Sequence, residues 1–423
     1  MKQFSFRENE LYCEEVPVRE LTEEFGTPLY VYSRTELLDN FRSLDSLLQG
    51  TDHVTCYALK ANSNPALLKS LADDGAGADV VSAGELSLAL QAGFSPDKIV
   101  FAGVGKREDE IEYALRERIH CLNAESVQEL QLISLVALRL QTGAPVALRI
   151  NPNIDADSHP YISTGLKQHK FGIDGEKALE TFQFAASLPN LEVKGVHTHI
   201  GSQIRKSEPF LAAADFLADL VKRLRESGIL ITQLDIGGGF GVGYENALEH
   251  EGLPRNEQGD PNAPDAPEIL RAMLPTLQQT GCSLWVEPGR SIVASAGILL
   301  TRVLYTKEQG PKKFVIVDAG MNDLLRPSLY NAYHQIVPAR IETYEHEPVD
   351  IVGPVCETGD FFARDRLLSK VKQRDILAIM TAGAYGFVNV SNYNGRLHPA
   401  EVLVNGDRVR VVRQRQTLEE LLK

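Results

Sequence analysis

A lysine at the end of an apolar run is the first residue whose type and position could do chemistry. Residues 54–62 have the sequence VTCYALKAN, and their alternation predicts a buried β-strand that ends at Lys60. An amine at the rim of a core is partly desolvated, which lowers its pKa and makes it a usable nucleophile. On position alone, a lysine that ends a strand and points into water is the simpler interpretation. The rest of the chain decides between the two.

Three consecutive glycines and a later arginine indicate a site for an anion. Gly237, Gly238 and Gly239 lie in the sequence GGGFG, where bare backbone N–H groups would let an anion approach closely. A tight turn explains one or two glycines but hardly three in a row. Arg290, in the sequence EPGR, adds a fixed cation with a fork of donors. Together these residues predict phosphate binding.

A lysine, a phosphate site and a carboxylate together match one cofactor. Pyridoxal phosphate takes a lysine for its Schiff base, a cradle for its phosphate and often a carboxylate at its pyridine nitrogen. Lys60, the glycine run and Glu287 supply these three groups. The carboxylate keeps the ring nitrogen protonated, which makes the ring a strong electron sink.

Two histidines lie two residues apart in an apolar run, so they are predicted to share one face of a strand. His197 and His199 could bind a metal, but no third histidine or cysteine has a suitable local spacing, and we expect no metal. His199, nearer the rim, is placed to stack on a flat aromatic ligand. His197, one layer deeper, is better explained as a hydrogen-bonded core residue.

Eight strand-like runs alternate with helix-like segments, and they predict the scaffold that positions these residues. The predicted strands are 54–60, 78–82, 99–102, 120–123, 145–150, 193–200, 233–236 and 283–287. Strands separated by helices form parallel βαβ units. Eight such units match a (β/α)8 TIM-type barrel, typically about 250 residues long. An open doubly wound sheet is the alternative, but it needs a phosphate loop after the first strand, and KANSNP is not one.

A barrel requires its chemistry at the carboxyl ends of the strands. Lys60, Arg149 and His199 are predicted at the ends of the first, fifth and sixth strands, and Asp79 within the second. The glycine run and Glu287 end the seventh and eighth strands. Reactive side chains therefore collect on one rim, a pattern more informative than any single residue.

The chain after the eighth strand is β-rich, with predicted extended runs at 292–304, 313–317, 347–352, 375–380 and 401–413. It predicts a second, mainly β domain of the barrel or sandwich type. Strands before residue 35 have no partner in the barrel, so we expect them to join this domain. The predicted domains are 1–34, the N-terminal strands of the β domain; 35–290, the cofactor-binding barrel; and 291–423, the rest of the β domain. Two long polar loops, 153–169 and 244–264, are expected to be functional or disordered.

Composition excludes several classes of protein. With 423 residues, 43% hydrophobic and 24% charged, the chain is typical of a globular protein of two domains. A net charge of −14 argues against a general binder of nucleic acid or anionic membranes. Five scattered cysteines without a CxxC pair fit a reducing compartment. With a polar N-terminal stretch and no apolar run of about 18 residues, we expect a cytoplasmic protein.

Several motifs together carry a family resemblance. They are YALKAN, VVSAGEL, HTHIGSQ, LDIGGGFG, EPGR, DAGMNDLLRPSLY, GPVCETGD and GAYG. In this order the chain strongly resembles the diaminopimelate decarboxylases, a family of alanine-racemase-like (fold type III) pyridoxal-phosphate enzymes. GGG and EPGR are shared with ornithine and arginine decarboxylases, whereas DAGMNDLLRPSLY with CETGD is more specific. Thr198, where cysteine is frequent, and a long acidic loop after GGGFG depart from the family pattern without touching an essential role.

The resemblance implies a function and an assembly. The cofactor would be pyridoxal 5′-phosphate, and the reaction would convert the amino acid meso-2,6-diaminopimelate into L-lysine and CO2, the last step of lysine biosynthesis. The family forms head-to-tail homodimers with active sites at the subunit interface, and no nucleic acid or membrane partner is implied.

The resemblance also assigns roles to individual residues. The cofactor-binding residues would be Lys60 as the internal aldimine, His199 stacked on the ring, Glu287 at the pyridine nitrogen, Ser202, Gly237, Gly238, Gly239, Gly289 and Arg290 around the phosphate, and Asp79, Arg149 and Tyr385 as further contacts. The substrate-binding residues would be Arg290 and Arg326 on the distal carboxylate, completed by Tyr330, Glu357 and Tyr385. Cys356 would donate a proton across the dimer interface.

Elementary chemistry supports the roles given to Cys356 and to the residues that would bind the substrate. Loss of CO2 leaves a carbanion, and a thiol such as Cys356 suits the return of a proton near neutral pH. The far end of diaminopimelate is itself an amino acid, whose carboxylate matches arginine forks and whose ammonium could pair with Glu357. The alternatives are a related decarboxylase acting on ornithine-, arginine- or carboxynorspermidine-like substrates, or a non-catalytic pyridoxal-phosphate carrier. Cys356 and Glu357, with the whole β domain, argue against the carrier.

Overall fold

The computed structural model describes residues 1–156, 170–256, 260 and 262–423. These residues form two units, one of Met1–Asp39, Gly243–Pro261 and Ile292–Lys423 and one of Asn40–Val242 and Asn262–Ser291. The exact domain limits proposed from the sequence stay a prediction. The predicted limits differ from the two units mainly at residues 243–261, which were predicted to belong to the barrel but group with the first unit.

The N-terminal stretch is mostly extended, as expected. Its elements are β1 (Phe4–Arg7), β2 (Glu10–Cys13), β3 (Val16–Pro17), α1 (Val18–Phe25), β4 (Leu29–Ser33) and α2 (Arg34–Asp45). Strands β1 to β3 form a small antiparallel sheet. All five residues of β4 are buried, so β4 must lie inside a larger sheet.

Eight parallel strands close into the predicted barrel. They are β5 (His53–Ala58), β6 (Gly77–Val80), β7 (Ile99–Phe101), β8 (Cys121–Ala124), β9 (Ala144–Asn151), β11 (Leu191–His197), β12 (Gln233–Asp235) and β13 (Ser283–Val286), with the two-residue β10 (Ile173–Asp174) beside β9. The barrel closes because β13 pairs with β5 and β8 pairs with β9. All eight strands predicted from the sequence are present, and the fold class is confirmed.

Helices follow the strands of the barrel, and some of these helices begin at local capping groups. They are α3 (Pro65–Asp73), α4 (Ala83–Ala92), α5 (Glu108–Glu117), α6 (Val127–Leu140), α7 (Ala178–Ser187), α8 (Glu208–Glu226), α9 (Ala266–Gln278) and the short α10 (Arg290–Val293). The Ser82 and Ser126 hydroxyls accept the backbone N–H groups of Glu85 and Glu129, which satisfies donors that a helix leaves free at its start. No described helix is both long and apolar enough to span a lipid bilayer.

The interior of the barrel changes from apolar to polar along the strands. Cys56, Val100, Cys121, Ala147 and Trp285 form an apolar cluster from five strands. Polar side chains, described with the candidate site below, follow further along the same strands or just beyond their ends. The strands are parallel, so these polar groups lie toward the carboxyl end of the barrel.

Three predicted strand ends need correction. Strand β5 ends at Ala58, and Leu59–Ala61 forms one turn of 3-10 helix, so Lys60 lies just beyond the strand. Strand β11 ends at His197, so His199 follows in a loop and does not share a strand face with it. Strand β9 runs on to Asn151, two residues beyond Arg149.

The C-terminal part is mainly β, as predicted. Its elements are β14 (Gly297–Gln309), β15 (Lys312–Val317), α11 (Arg326–Tyr330), β16 (Ile336–Pro338), β17 (His346–Val352), β18 (Phe361–Ser369), β19 (Ile376–Ile379), β20 (Ala400–Asn405), β21 (Arg408–Arg413) and α12 (Leu418–Leu421). Strand β4 lies between β14 and β20, antiparallel to the first and parallel to the second. The N-terminal strand therefore completes a mixed sheet of the β unit, which confirms that part of the prediction.

The two long loops are only partly described. Residues 157–169 of the first, and 257–259 and 261 of the second, lie outside the described residues. In the second loop, Leu248 is buried in the β unit's core. The Gln335 side chain accepts the Leu248 N–H at 2.7 Å and donates to its carbonyl at 2.9 Å, so this part of the loop is firmly anchored.

Candidate active site

The Lys60 amine pairs directly with a buried carboxylate. Its Nζ contacts Asp79 of β6, whose side chain is fully buried while that of Lys60 is 35% exposed. Burial and then the charge of Glu287 raise the pKa of Asp79, and Lys60 offsets part of this rise. The lysine is thus held at the rim with its amine fixed and still accessible, as a nucleophile requires.

Gly289 positions this lysine by its lack of a side chain. A Cβ at Gly289 would lie 3.0 Å from the Cβ atoms of both Ala58 and Ala61. The Ala58 N–H also donates to the carbonyl of Pro288 at 3.1 Å. The EPGR segment therefore packs tightly against the turn that carries Lys60.

The glycine run is needed for close backbone packing. Gly237 and Gly239 have φ angles of +65° and +95°, and a Cβ at Gly238 would lie 2.2 Å from the carbonyl oxygen of Glu287. The expectation that this run leaves its N–H groups bare is wrong for two of them. The Gly237 N–H donates to Asp235 Oδ1 at 2.9 Å and the Gly238 N–H to His199 Nδ1 at 3.2 Å.

His199 is neutral in this arrangement. Burial, followed by the nearby charges of Arg149 and Lys60, lowers its pKa well below the ordinary value. Because Nδ1 accepts the Gly238 N–H, the ring proton is on Nε2. Its neighbour Arg149 is paired with buried Glu125 at 2.9 Å and lies over the Phe171 ring.

Ser202 and Arg290 meet, although 88 residues separate them in the chain. The Arg290 Nη2 donates to the Ser202 hydroxyl at 2.9 Å. One residue follows β11 and the other follows β13. Two residues predicted to hold a phosphate therefore lie side by side.

Glu287 is the centre of a buried polar cluster. Asn123 Nδ2 donates to its Oε1 at 3.3 Å, and His197 Nε2 lies 3.2 Å from its Oε2. Burial alone would raise the pKa of Glu287, but His197, followed by Lys60, holds it below its usual range. Glu287 is therefore a carboxylate, as a partner for a pyridinium nitrogen must be. Sequence reasoning missed Asn123, which carries no motif of its own.

The β unit holds a second group of predicted residues. Arg326 is buried at the start of α11, with Nη1 2.7 Å from His334 Nε2 and its guanidinium 4.6 Å from the centre of the Tyr244 ring. His334 Nδ1 lies 2.8 Å from the Met380 carbonyl, so that nitrogen donates and Nε2 accepts from Arg326. Neither His334 nor Tyr244 was singled out from the sequence.

The loop with Cys356 and Glu357 is tied to the same group. Ser328 of α11 donates to the Gly359 carbonyl at 2.6 Å, which joins the loop to the helix of Arg326 and Tyr330. Cys356 is exposed, and its N–H donates to Asn394 Oδ1 at 3.0 Å.

Two further residues of the β unit complete this description. Tyr393 donates to the Glu357 carboxylate at 2.8 Å. Tyr385 has a left-handed φ of +54°, and its carbonyl accepts from Asn389.

The barrel residues fit pyridoxal phosphate. They offer a paired amine, a neutral imidazole, a buried carboxylate and an arginine–serine pair in one layer, which are the groups the cofactor uses. A Cβ at Gly237, Gly238 or Gly239 would lie 2.4, 2.2 or 2.3 Å from the carbonyl oxygen of Thr198, Glu287 or Gly201, so only glycine fits at these positions. The residues at this end of the barrel can therefore bind the ring and the phosphate of one such molecule.

Comparison with known proteins agrees with this class of site. Residues 34–294 match the family model for the pyridoxal-binding domain of pyridoxal-dependent decarboxylases. The diaminopimelate decarboxylase of Pseudomonas aeruginosa is 49% identical over 421 residues, which cover 100% of this chain and 98% of that protein. The diaminopimelate decarboxylase of Aquifex aeolicus is 44% identical over 99% of this chain and 96% of its own length.

Solved structures of diaminopimelate decarboxylases also resemble this chain over nearly its whole length. The Helicobacter pylori diaminopimelate decarboxylase complexed with L-lysine has a TM-score of 0.88 and 44% identity, over 96% of this chain and 98% of that one. The M. jannaschii enzyme with L-lysine has a TM-score of 0.92 and 38% identity, over 99% and 96% of the two chains. The fold is thus that of the pyridoxal-dependent decarboxylases. Within them, this chain belongs to the diaminopimelate decarboxylase family, which confirms the resemblance seen in its motifs.

Proposed function

We propose that this chain removes CO2 from meso-2,6-diaminopimelate and releases L-lysine, as a carbon–carbon lyase in the last step of lysine biosynthesis. The observation that carries the proposal is the pairing of Lys60 with Asp79 near buried Glu287, in a chain 49% identical to a diaminopimelate decarboxylase. When bound, pyridoxal 5′-phosphate supplies the electron sink for the electron pair that departing CO2 leaves behind. The residues of this chain bind, orient and exchange protons.

Lys60 is the residue we expect to hold the cofactor covalently. Its amine is fixed by Asp79, so it is presented in one orientation. Once exchanged for the substrate's amino group, the same amine stays beside a buried carboxylate and can move protons. The low exposure of Asp79 keeps bulk water from competing for this contact.

The ring would be held from two sides. His199 is neutral and has its Nδ1 occupied by Gly238, so its face is available for stacking without a positive charge. Glu287 is ionised and buried, which lets it keep a proton on the pyridine nitrogen. We assign the phosphate to Ser202, Arg290 and the glycine run, since the first two already form a pair.

Arg326 is assigned to the distal carboxylate of the substrate, with Arg290 as a second contact. Its guanidinium is buried and oriented by His334 and Tyr244, so little side-chain freedom is lost on binding. Tyr330, Glu357 and Tyr385 complete the proposed pocket; here the Glu357 carboxylate would pair with the distal ammonium.

We assign the returning proton to Cys356, reaching in from the partner of a homodimer. The thiol is exposed in the single chain, as expected of a residue that serves a neighbouring subunit's site. The loop that carries it is braced by Asp360, whose carboxylate accepts the backbone N–H groups of Met321 and Val355, each at 2.6 Å. A shared active site and a cytoplasmic location belong to this proposal.

The direct test is formation of lysine and CO2 from meso-diaminopimelate by the purified protein with pyridoxal phosphate. We expect turnover and an absorbance band at the edge of the visible range from the bound cofactor. Lys60→Ala should lose both. Lys69→Ala is the matched control, because this lysine is exposed and pairs with Asp73 of its own helix. CO2 release from ornithine or arginine, with none from diaminopimelate, would overturn the substrate assignment.

A further inference from the structure

Two buried acids lie next to each other inside the barrel. Asp235 is the last residue of β12 and Glu287 follows the last residue of β13. Neither is more than 4% exposed, and His197 beside them is 1% exposed. One ligand atom from each of these three side chains lies within 4.8 Å of the other two. Two carboxylates so close together in a dry interior cannot both be ionised without strong repulsion, so one is expected to keep a proton.

The polar contacts of the two acids indicate which one that is. Glu287 has a nitrogen next to each of its oxygens, from Asn123 and from His197. Asp235 Oδ1 accepts the Gly237 N–H, but among the described residues no donor reaches its Oδ2. A buried carboxylate oxygen without a donor is costly, whereas a protonated oxygen becomes a donor itself. Burial, followed by the charge of Glu287, raises the pKa of Asp235 well above its ordinary value.

We infer that Asp235 is a positioning residue that works as a neutral acid: its Oδ2–H donates to Glu287 while its Oδ1 accepts from Gly237. This inference rests on the proposed function, in which Glu287 meets the ring nitrogen and the glycine run meets the phosphate. Asp235 would then set the distance between the two ends of the cofactor. It touches neither end, so its effect passes through Glu287 and Gly237.

Backbone contacts connect the same two segments. The Glu287 N–H donates to the Gly237 carbonyl at 2.8 Å, and the Thr198 N–H donates to the Asp235 carbonyl at 2.9 Å. The missing Cβ of Gly238 lets the glycine run lie directly on the Glu287 carbonyl. A change in the orientation of the Asp235 side chain is therefore transmitted to both segments.

Replacement by asparagine separates a neutral acid from a carboxylate. Asp235→Asn keeps an acceptor for Gly237 and gains an amide donor toward Glu287, so a neutral acid is closely imitated. We expect Asp235→Asn to keep its affinity for pyridoxal phosphate within about threefold and its absorbance band in place. Asp235→Leu keeps the branched shape of the side chain but removes both contacts, and it should weaken cofactor binding by about tenfold or more and shift the band. Glu287→Gln should shift the absorbance band of the bound cofactor whether Asp235 is neutral or ionised.

Infrared spectroscopy gives a second readout that does not depend on the cofactor. The difference spectrum between the full-length wild type and Asp235→Asn at neutral pH should contain the C=O stretch of a protonated acid. Glu401→Gln is the matched control, because that fully buried carboxylate accepts from the Tyr32 hydroxyl and from Arg413, and only carboxylate bands should change.

Three results would overturn the inference. They are a carboxylate-only difference spectrum for Asp235→Asn, a loss of cofactor affinity in Asp235→Asn as large as in Asp235→Leu, and a stoichiometric metal ion on the His197–Asp235–Glu287 cluster. Should the wild type bind pyridoxal phosphate but form no lysine, the proposed function fails, while the infrared result still decides the state of Asp235. If Asp235→Leu does not fold, Asp235→Asn and the infrared spectra still give the answer.

Discussion

Replacing His334 by leucine should weaken substrate binding and leave cofactor binding unchanged. His334 is fully buried in the β unit and accepts from the Arg326 guanidinium at 2.7 Å, while its other nitrogen donates to the Met380 carbonyl. Leucine has a similar volume, so the core stays filled, but it offers the guanidinium no acceptor. Arg326 would then lose one of the contacts that orient it toward the distal carboxylate that we assign to it.

The size of the effect follows from the hydrogen bond that is lost. A hydrogen bond to a charged group contributes about 1.5–3 kcal/mol. At about 1.4 kcal/mol for each factor of ten, substrate binding should weaken roughly 10- to 150-fold. Contact with the Tyr244 ring keeps part of the orientation, which favours the lower end of this range. Loss of the Met380 contact should appear as a lower melting temperature and not as a change in KM.

Steady-state kinetics with meso-diaminopimelate and a titration with pyridoxal phosphate measure the two effects separately. We expect KM to rise by the factor given, kcat to fall less, and the cofactor Kd to stay constant. His346→Ala is the matched control, because His346 also lies in the β unit but its ring contacts the Gly252 carbonyl. An unchanged KM in a folded His334→Leu protein, or an equal loss of cofactor affinity, would refute the role given to Arg326.

Three further predictions concern the other elements of the site and the fold. Cys356→Ala should keep the cofactor and lose most turnover, and mixing it with Lys60→Ala should restore activity in mixed dimers; no recovery would contradict a shared site. Gly238→Ala should lower the unfolding free energy by about 1–3 kcal/mol in a denaturant titration, because its Cβ would lie 2.2 Å from the Glu287 carbonyl; a stability equal to the wild type would contradict this packing. Burial raises the pKa of Asp323 to about 7, so the folded protein binds this proton more tightly than the unfolded chain. The stabilisation from protonated Asp323 is therefore complete below about pH 4 and is lost as the pH rises through about 7. Asp323→Asn should flatten the dependence of the unfolding free energy on pH between these values.

The barrel was predictable because its strands are short apolar runs separated by amphipathic helices. The strands of the β unit were less predictable from the sequence. Strand β18 was missed because Asp365 has a φ of +46° and the pairing with β17 shifts register near Val349, which breaks the alternation expected of a strand. Residues 292–304 were predicted as one extended run, but α10 occupies the first two of them before β14 begins. A single helical turn has too few residues to show a period.

The site shows where sequence patterns stop being informative. Lys60, the glycine run and Glu287 could be identified because each has a distinctive type at a strand end. Asp79 and Asp235 are the same residue type, equally buried at the ends of two strands, yet one faces an ammonium and the other a carboxylate. Their partners come from other strands, so no local pattern shows which acid faces a cation and which faces another acid. The state of charge on which the proposed chemistry depends is therefore a property of the barrel's closure, which brings β12 and β13 together and places β6 beside the turn of Lys60.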